Sequence, residues 1–161
     1  MNWASWNYDW RCFEVISKIL VAFDGTKCAE RALDFGLDLA GRYSAEVLIL
    51  NVLEMPTYGS PDDPLAMSAG MAGFMKDLRK AHEGFLASGF EKATKTKDNV
   101  KVTTELREGD PPTQIVIAAK EGGFDVIVIG HGGESRMREL FLGGTSERVA
   151  HQARCAVIIV K

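Results

Sequence analysis

Five short runs of apolar residues punctuate the chain: Lys18-Ile-Leu-Val-Ala-Phe23, Ala45-Glu-Val-Leu-Ile-Leu-Asn-Val-Leu53, Val100-Lys-Val-Thr-Thr-Glu-Leu-Arg107, Phe124-Asp-Val-Ile-Val-Ile129 and Ala156-Val-Ile-Ile-Val160. The third alternates and is rich in β-branched residues; the others are apolar almost throughout, as strands covered on both faces are. Between the runs, apolar residues return at helical spacing. Ala29, Ala32, Leu33, Leu37 and Ala40 predict a helix over 27–42, with Thr26 or Asp24 as its cap. Asp110 is placed to cap a helix that carries Pro111 and Pro112 in its first turn and stops at Gly122-Gly123. A helix over about 74–95, weakened by Gly84 and Gly89, bears His82, read as a surface residue. The segment Glu54 to Gly73 is rich in proline and glycine and reads as a long mobile loop. Its Met55, Met67 and Met71, with Met75 beyond, make either a soft recognition surface or a flap without a specific role.

Strands alternating with helices predict an α/β fold in three layers, a doubly wound five-stranded parallel sheet with helices on both faces. Ligands of such sheets lie beyond the carboxyl ends of the strands, where the winding reverses. The loops that meet there begin at Asp24, Val52, Gly109 and Gly130. The last is the most distinctive. Gly130 ends the strand that closes with Ile129, a polar segment follows, and Gly143-Gly144-Thr145-Ser146 opens the fourth helix. Glycine lets backbone approach a ligand closely, and a helix start presents unpaired N–H groups and a positive dipole end. That combination suits a phosphate.

Composition changes this picture little. The 46% apolar and 25% charged residues are ordinary for a globular protein, and a net charge of -3 gives no electrostatic footprint for nucleic acid. No apolar run reaches the ~20 residues of a membrane span, and the N-terminus lacks the pattern of a signal peptide. Cys12, Cys28 and Cys155 have no metal-like spacing and read as reduced thiols in a cytoplasmic protein, Cys28 and Cys155 with packing roles. Residues 1–17 form an extension ahead of the domain at 18–161. They hold Trp3, Trp6 and Trp10 at helical spacing, either a piece packed on the domain or an aromatic patch for a partner.

With these residues placed, the chain resembles the universal stress proteins over residues 18–161. Nucleotide-binding members of that family carry Gly, two residues, Gly, nine residues, Gly, then Ser or Thr; here Gly130, Gly133 and Gly143 stand at that spacing. Asp24 matches the family's acidic residue after the first strand, and Gly109-Asp110-Pro111 its Gly-x-Pro segment. The resemblance implies the flavodoxin-like strand order 3-2-1-4-5 of the adenine nucleotide α-hydrolase-like folds, and a homodimer formed through the last strand, 156–160. It further implies that ATP or AMP, with or without Mg2+, binds at the named loops. Ala22, Phe23 and Asp24 would line the adenosine, Val52 would meet the base through its backbone and Gly130 would face the ribose. Gly133, Gly143, Gly144, Thr145 and Ser146 would hold the phosphates. Gly109 and Ile129 complete the expected lining, and Asp24 could reach a metal through a Mg-nucleotide. Arg136 and Arg138 are either partners for the outer phosphates or exposed charges, and His131 either touches the ligand or is a neutral loop imidazole.

One departure stands out. Gly144 occupies the place where the pattern has a hydroxyl. A hydroxyl contributes ~1 kcal/mol net, about tenfold in affinity, so the expectation is weaker phosphate binding. No Gly-x4-Gly-Lys-Ser/Thr loop, Ser-His-Asp order or general base is identifiable, so any ATP hydrolysis would be slow and incidental. The sequence therefore reads first as an adenine-nucleotide-binding regulatory dimer of the stress response. The alternative is a stress protein that binds an unknown protein partner and has little nucleotide affinity. An enzyme is the third reading, and it needs a base the sequence does not supply.

Overall fold

The computed structural model describes residues 16–54, 69–97, 99–132 and 144–161. Among these residues, nine elements alternate in the order β1 (Lys18–Ala22), α1 (Lys27–Tyr43), β2 (Glu46–Leu53), α2 (Ala69–Thr96), β3 (Val102–Glu108), α3 (Pro111–Gly122), β4 (Val126–Gly130), α4 (Gly144–Gln152) and β5 (Ala156–Val160). The strands pair in parallel in the order β3-β2-β1-β4-β5, the order expected. Chain direction reverses its winding between β1 and β4, whose register joins Ala22 to Ile129.

The alternation of side chains along each strand divides the core into two halves. On one face Ile19, Val21, Phe23, Val47, Ile49, Val126 and Val128 pack against Leu33 and Leu37 of α1 and Leu86 and Ala93 of α2. On the other face Leu20, Ala22, Leu48, Leu50, Ile127 and Ile129 meet Ile115 and Ala118 of α3 and Val149 of α4. Helices α1 and α2 thus cover one face and α3 and α4 the other.

Local chemistry sets the boundaries. Thr26, not Asp24, caps α1, its hydroxyl accepting from the Ala29 N–H at 3.2 Å, and Ser44 closes the helix in the left-handed region. Asp110 caps α3 and Gly123 ends it, as the turn chemistry predicts. Helix α2 starts at Ala69, ahead of the expected 74, so residues 69–73 leave the predicted loop. The alanines and Met71 favour helix enough to carry Gly70 and Gly73 along, and around Gly73 there is open space. Strand β3 begins at Val102, because Val100 turns back to donate to the Lys97 carbonyl.

The two sheet edges differ in kind. Strand β3 carries Glu105, Arg107 and Glu108, with Arg107 paired to Glu105 and Glu121. Strand β5 is Ala-Val-Ile-Ile-Val, without a charge and half-exposed from Val157 to Val160. Cys28 and Cys155 are free and partly buried; burial pushes the Cys155 thiol above its ordinary pKa, in keeping with a packing role. The aromatic positions Trp3, Trp6 and Trp10, together with Cys12, Met55 and Met67, lie outside the described residues.

Candidate functional site

A cleft of about 330 Å³ opens at the carboxyl ends of β1, β2 and β4, on the α3/α4 side of the sheet. Its floor is apolar. Ala22, Leu50 and Ile129 come from the strand ends and Ile115 from α3. The rim carries Asp24, Thr26 and Glu54, and Gly144, Thr145 and Ser146, which begin α4. The rim therefore combines carboxylates with a helix start and its positive dipole end. An apolar floor with a helix start on its rim suits a ligand with an apolar ring and an anionic tail.

Each rim segment is held by bonds of its own. Asp24 Oδ1 accepts from the Thr26 amide at 3.0 Å and from its hydroxyl at 2.7 Å, folding the loop back before α1 begins. Phe23 donates its N–H to the Leu50 carbonyl. Across the cleft, the Ser146 hydroxyl donates to the His131 carbonyl at 3.2 Å, and the His131 N–H donates to the Val160 carbonyl at 2.7 Å. The start of α4 is thereby tied to the ends of β4 and β5. Below it, Arg148 forms a two-pronged ion pair with Asp110, both contacts at 2.9 Å, joining α4 to the cap of α3. The guanidinium of Arg148, with the hydrogen bonds from Thr113, holds the Asp110 carboxyl below its ordinary pKa.

Among the expected site residues, Ala22, Phe23, Asp24, Val52, Ile129, Gly130, Gly144, Thr145 and Ser146 all line this cleft. Two others stand beside it. Gly109 uses its positive φ of 130° to turn out of β3 and donates to the Leu53 carbonyl, and His131 serves as the backbone joint just described. Gly133, Arg136, Arg138 and Gly143 lie outside the described residues. The glycine at 130 has a packing reason: a Cβ there would stand 2.8 Å from the backbone carbon of Cys28, so its absence lets α1 close on β4. Gly144 is the opposite case, with nothing within 4 Å of a built Cβ.

Several contributors were not legible. Cys28, Pro111 and Ile115 line the cleft from helices, and Glu54 from the end of β2. His82, expected at the surface, is half-buried with its Nδ1 2.6 Å from Asn51 Oδ1. Asn51 is 1% exposed. A signal for it existed: a lone amide inside the apolar run of β2 must find partners, because a buried polar group without them is costly. No group of three or more metal-ligating side chains gathers among the described residues, and no helix among them is long and apolar enough to cross a membrane.

The universal stress protein family profile matches residues 16–161. Among curated relatives, universal stress protein YxiE of Bacillus subtilis is 29% identical over 158 residues, covering 91% of this chain and 100% of its own. Universal stress protein MJ0531 of Methanocaldococcus jannaschii is 31% identical over 145 residues, covering 89% and 81%. Among solved structures, universal stress protein UspA of Lactobacillus plantarum superposes with a TM-score of 0.76 at 22% identity, covering 92% and 99%. The Archaeoglobus fulgidus universal stress protein in complex with dAMP gives 0.63 at 24% over 92% and 100%. An Arabidopsis thaliana family member with AMP bound gives 0.63 at 20% over 90% and 91%. At these identities the structures share the fold.

Proposed function

The chain belongs to the universal stress protein family, and from that membership we propose that its cleft holds an adenine nucleotide, AMP or ATP, and that the protein acts as a regulatory dimer in a stress response. The observation that carries the reading is the cleft itself. It lies where the sheet reverses its winding, its floor is apolar, and a helix start lines its rim. Adenine would lie on Ala22, Leu50 and Ile129 beside the Val52 backbone, ribose near Asp24, and phosphate against the N–H groups at 144–146. The solved relatives described with dAMP and AMP support the same ligand class.

The phosphate end would be modest in strength. Ser146 spends its proton on His131, so Thr145 is the side chain left to take over the hydroxyl missing at Gly144. Gly133, Gly143 and the charge of Arg136 would add to this end. With no cage of metal ligands among the described residues, Mg2+ would enter on the phosphates of ATP. Dimerisation would use β5, the uncharged edge; charged edges such as β3 disfavour pairing.

The test is a titration of the purified protein with AMP and ATP, followed by calorimetry and by melting temperature. Ligand at 100 times Kd stabilises the fold by about 2.7 kcal/mol. Absence of heat and of any shift at millimolar nucleotide would overturn the reading. It would favour instead a partner-binding protein that has lost nucleotide affinity, the reading to which Gly144 points.

A further inference from the structure

The loop that brings Asp24 to the cleft is gripped by groups on the other face of the sheet. Asn51 and Phe23 share the α1/α2 face, whereas the cleft floor belongs to the α3/α4 face. The Asn51 Nδ2 donates to the Phe23 carbonyl at 2.6 Å. A carbonyl only accepts, so the orientation of the amide is settled, and its Oδ1 is the atom that faces His82 Nδ1 at 2.6 Å. An amide oxygen also only accepts. Hence Nδ1 of His82 must carry a proton, which in the neutral ring leaves Nε2 bare. The chain of donors thus runs in one direction, from His82 through Asn51 to the Phe23 carbonyl, one residue before Asp24.

Helix α2 touches the same loop at two further points. The Phe85 ring stands edge-on to His82, with centroids 5.7 Å apart, and covers Gly25, where a built Cβ would lie 2.6 Å from Phe85 Cδ1. Gly25 has a φ of 80°, so a side chain there would be both strained and blocked. One turn on, Gly89 faces the Phe23 ring. Residues 82, 85 and 89 form one stripe of α2; Phe23 and Gly25 meet that stripe, and Phe23 and Asp24 line the cleft.

We propose that Asn51 and His82 are positioning residues of the nucleotide site, fixing the Phe23 carbonyl and with it the placement of Asp24 toward the ligand. This inference rests on the nucleotide reading of the cleft for its affinity arm and stands on the unliganded loop for the rest. Three measurements test it. In the wild-type protein, nitrogen NMR of the imidazole has Nδ1 protonated in the neutral ring; a neutral His82 bare at Nδ1 overturns the assignment. Hydrogen exchange at the amides of Asp24 to Thr26 rises in His82→Leu and returns to the wild-type rate in His82→Asn, whose Nδ2 replaces the donor. Equal exchange in all three proteins overturns it. Affinity for AMP falls about five- to tenfold in His82→Leu, the loss of one buried bond, and recovers in His82→Asn; equal affinities overturn it. If the wild type binds no nucleotide, the functional reading fails on its own, and the NMR and exchange results still decide whether the loop is held as stated.

Discussion

At the scale of single residues, Gly130 and Gly144 belong to one sequence motif and answer to different forces. A methyl group at Gly130 would press on the backbone of Cys28, so Gly130→Ala costs about 1–3 kcal/mol by overpacking. Urea denaturation checks this, and an unchanged midpoint would contradict it. Nothing crowds Gly144, so Gly144→Ser folds as well as the wild type and restores the hydroxyl at the helix start. Its affinity for ATP rises up to about tenfold by calorimetric titration; equal or lower affinity would show that the amide alone determines binding there. The motif was legible because glycine spacing is local. The reason for Gly130 was not, because the atom it must avoid belongs to α1, which reaches it only in the folded chain. The tie between Ser146 and His131 escaped notice for the same reason.

Elements were legible where burial is continuous. The apolar runs of β1, β2 and β4 have no other stable placement than a sheet covered on both faces, and with β5 they fall within two residues of their observed limits. Helix α2 was legible in kind and misjudged in extent, since Gly70 and Gly73 read as loop until the rest of the helix supports them. The end of the sheet away from the cleft depends on one group the pattern did not single out. Asp125 accepts from the N–H groups of Ser17 and Lys18 and from the Ser17 hydroxyl, at 2.8, 2.9 and 2.9 Å, fastening the entry of β1 to that of β4. Burial pushes its carboxyl up, but these hydrogen bonds outweigh it and hold the pKa below the ordinary value. A folded pKa below the unfolded one, about 3.9, means stability that is complete above that pH and fades as pH falls through the folded value. Asp125→Asn is accordingly less stable than the wild type by about 1 kcal/mol at pH 7, and the gap closes below about pH 4. Denaturation at both pH values measures it; a gap independent of pH would assign the effect to packing.

For the whole molecule, the strand order followed from the resemblance, and every pairing agrees. The cleft was legible as a place, because loops at the winding reversal meet whatever their sequence. Its second layer was not, because His82 and Asn51 sit on separate elements that meet only when α2 packs on β2. The proposed dimer predicts twice the monomer mass by light scattering at micromolar concentration; a monomer there would remove β5 as the joining edge. The contrast between the two edges then limits how far association can go. Two copies joined at β5 have no apolar edge left, since both outer borders of the extended sheet are β3, with its Glu105, Arg107 and Glu108. In the proposed dimer a third copy would meet a charged edge, so the strand that joins the pair would also end its polymerisation.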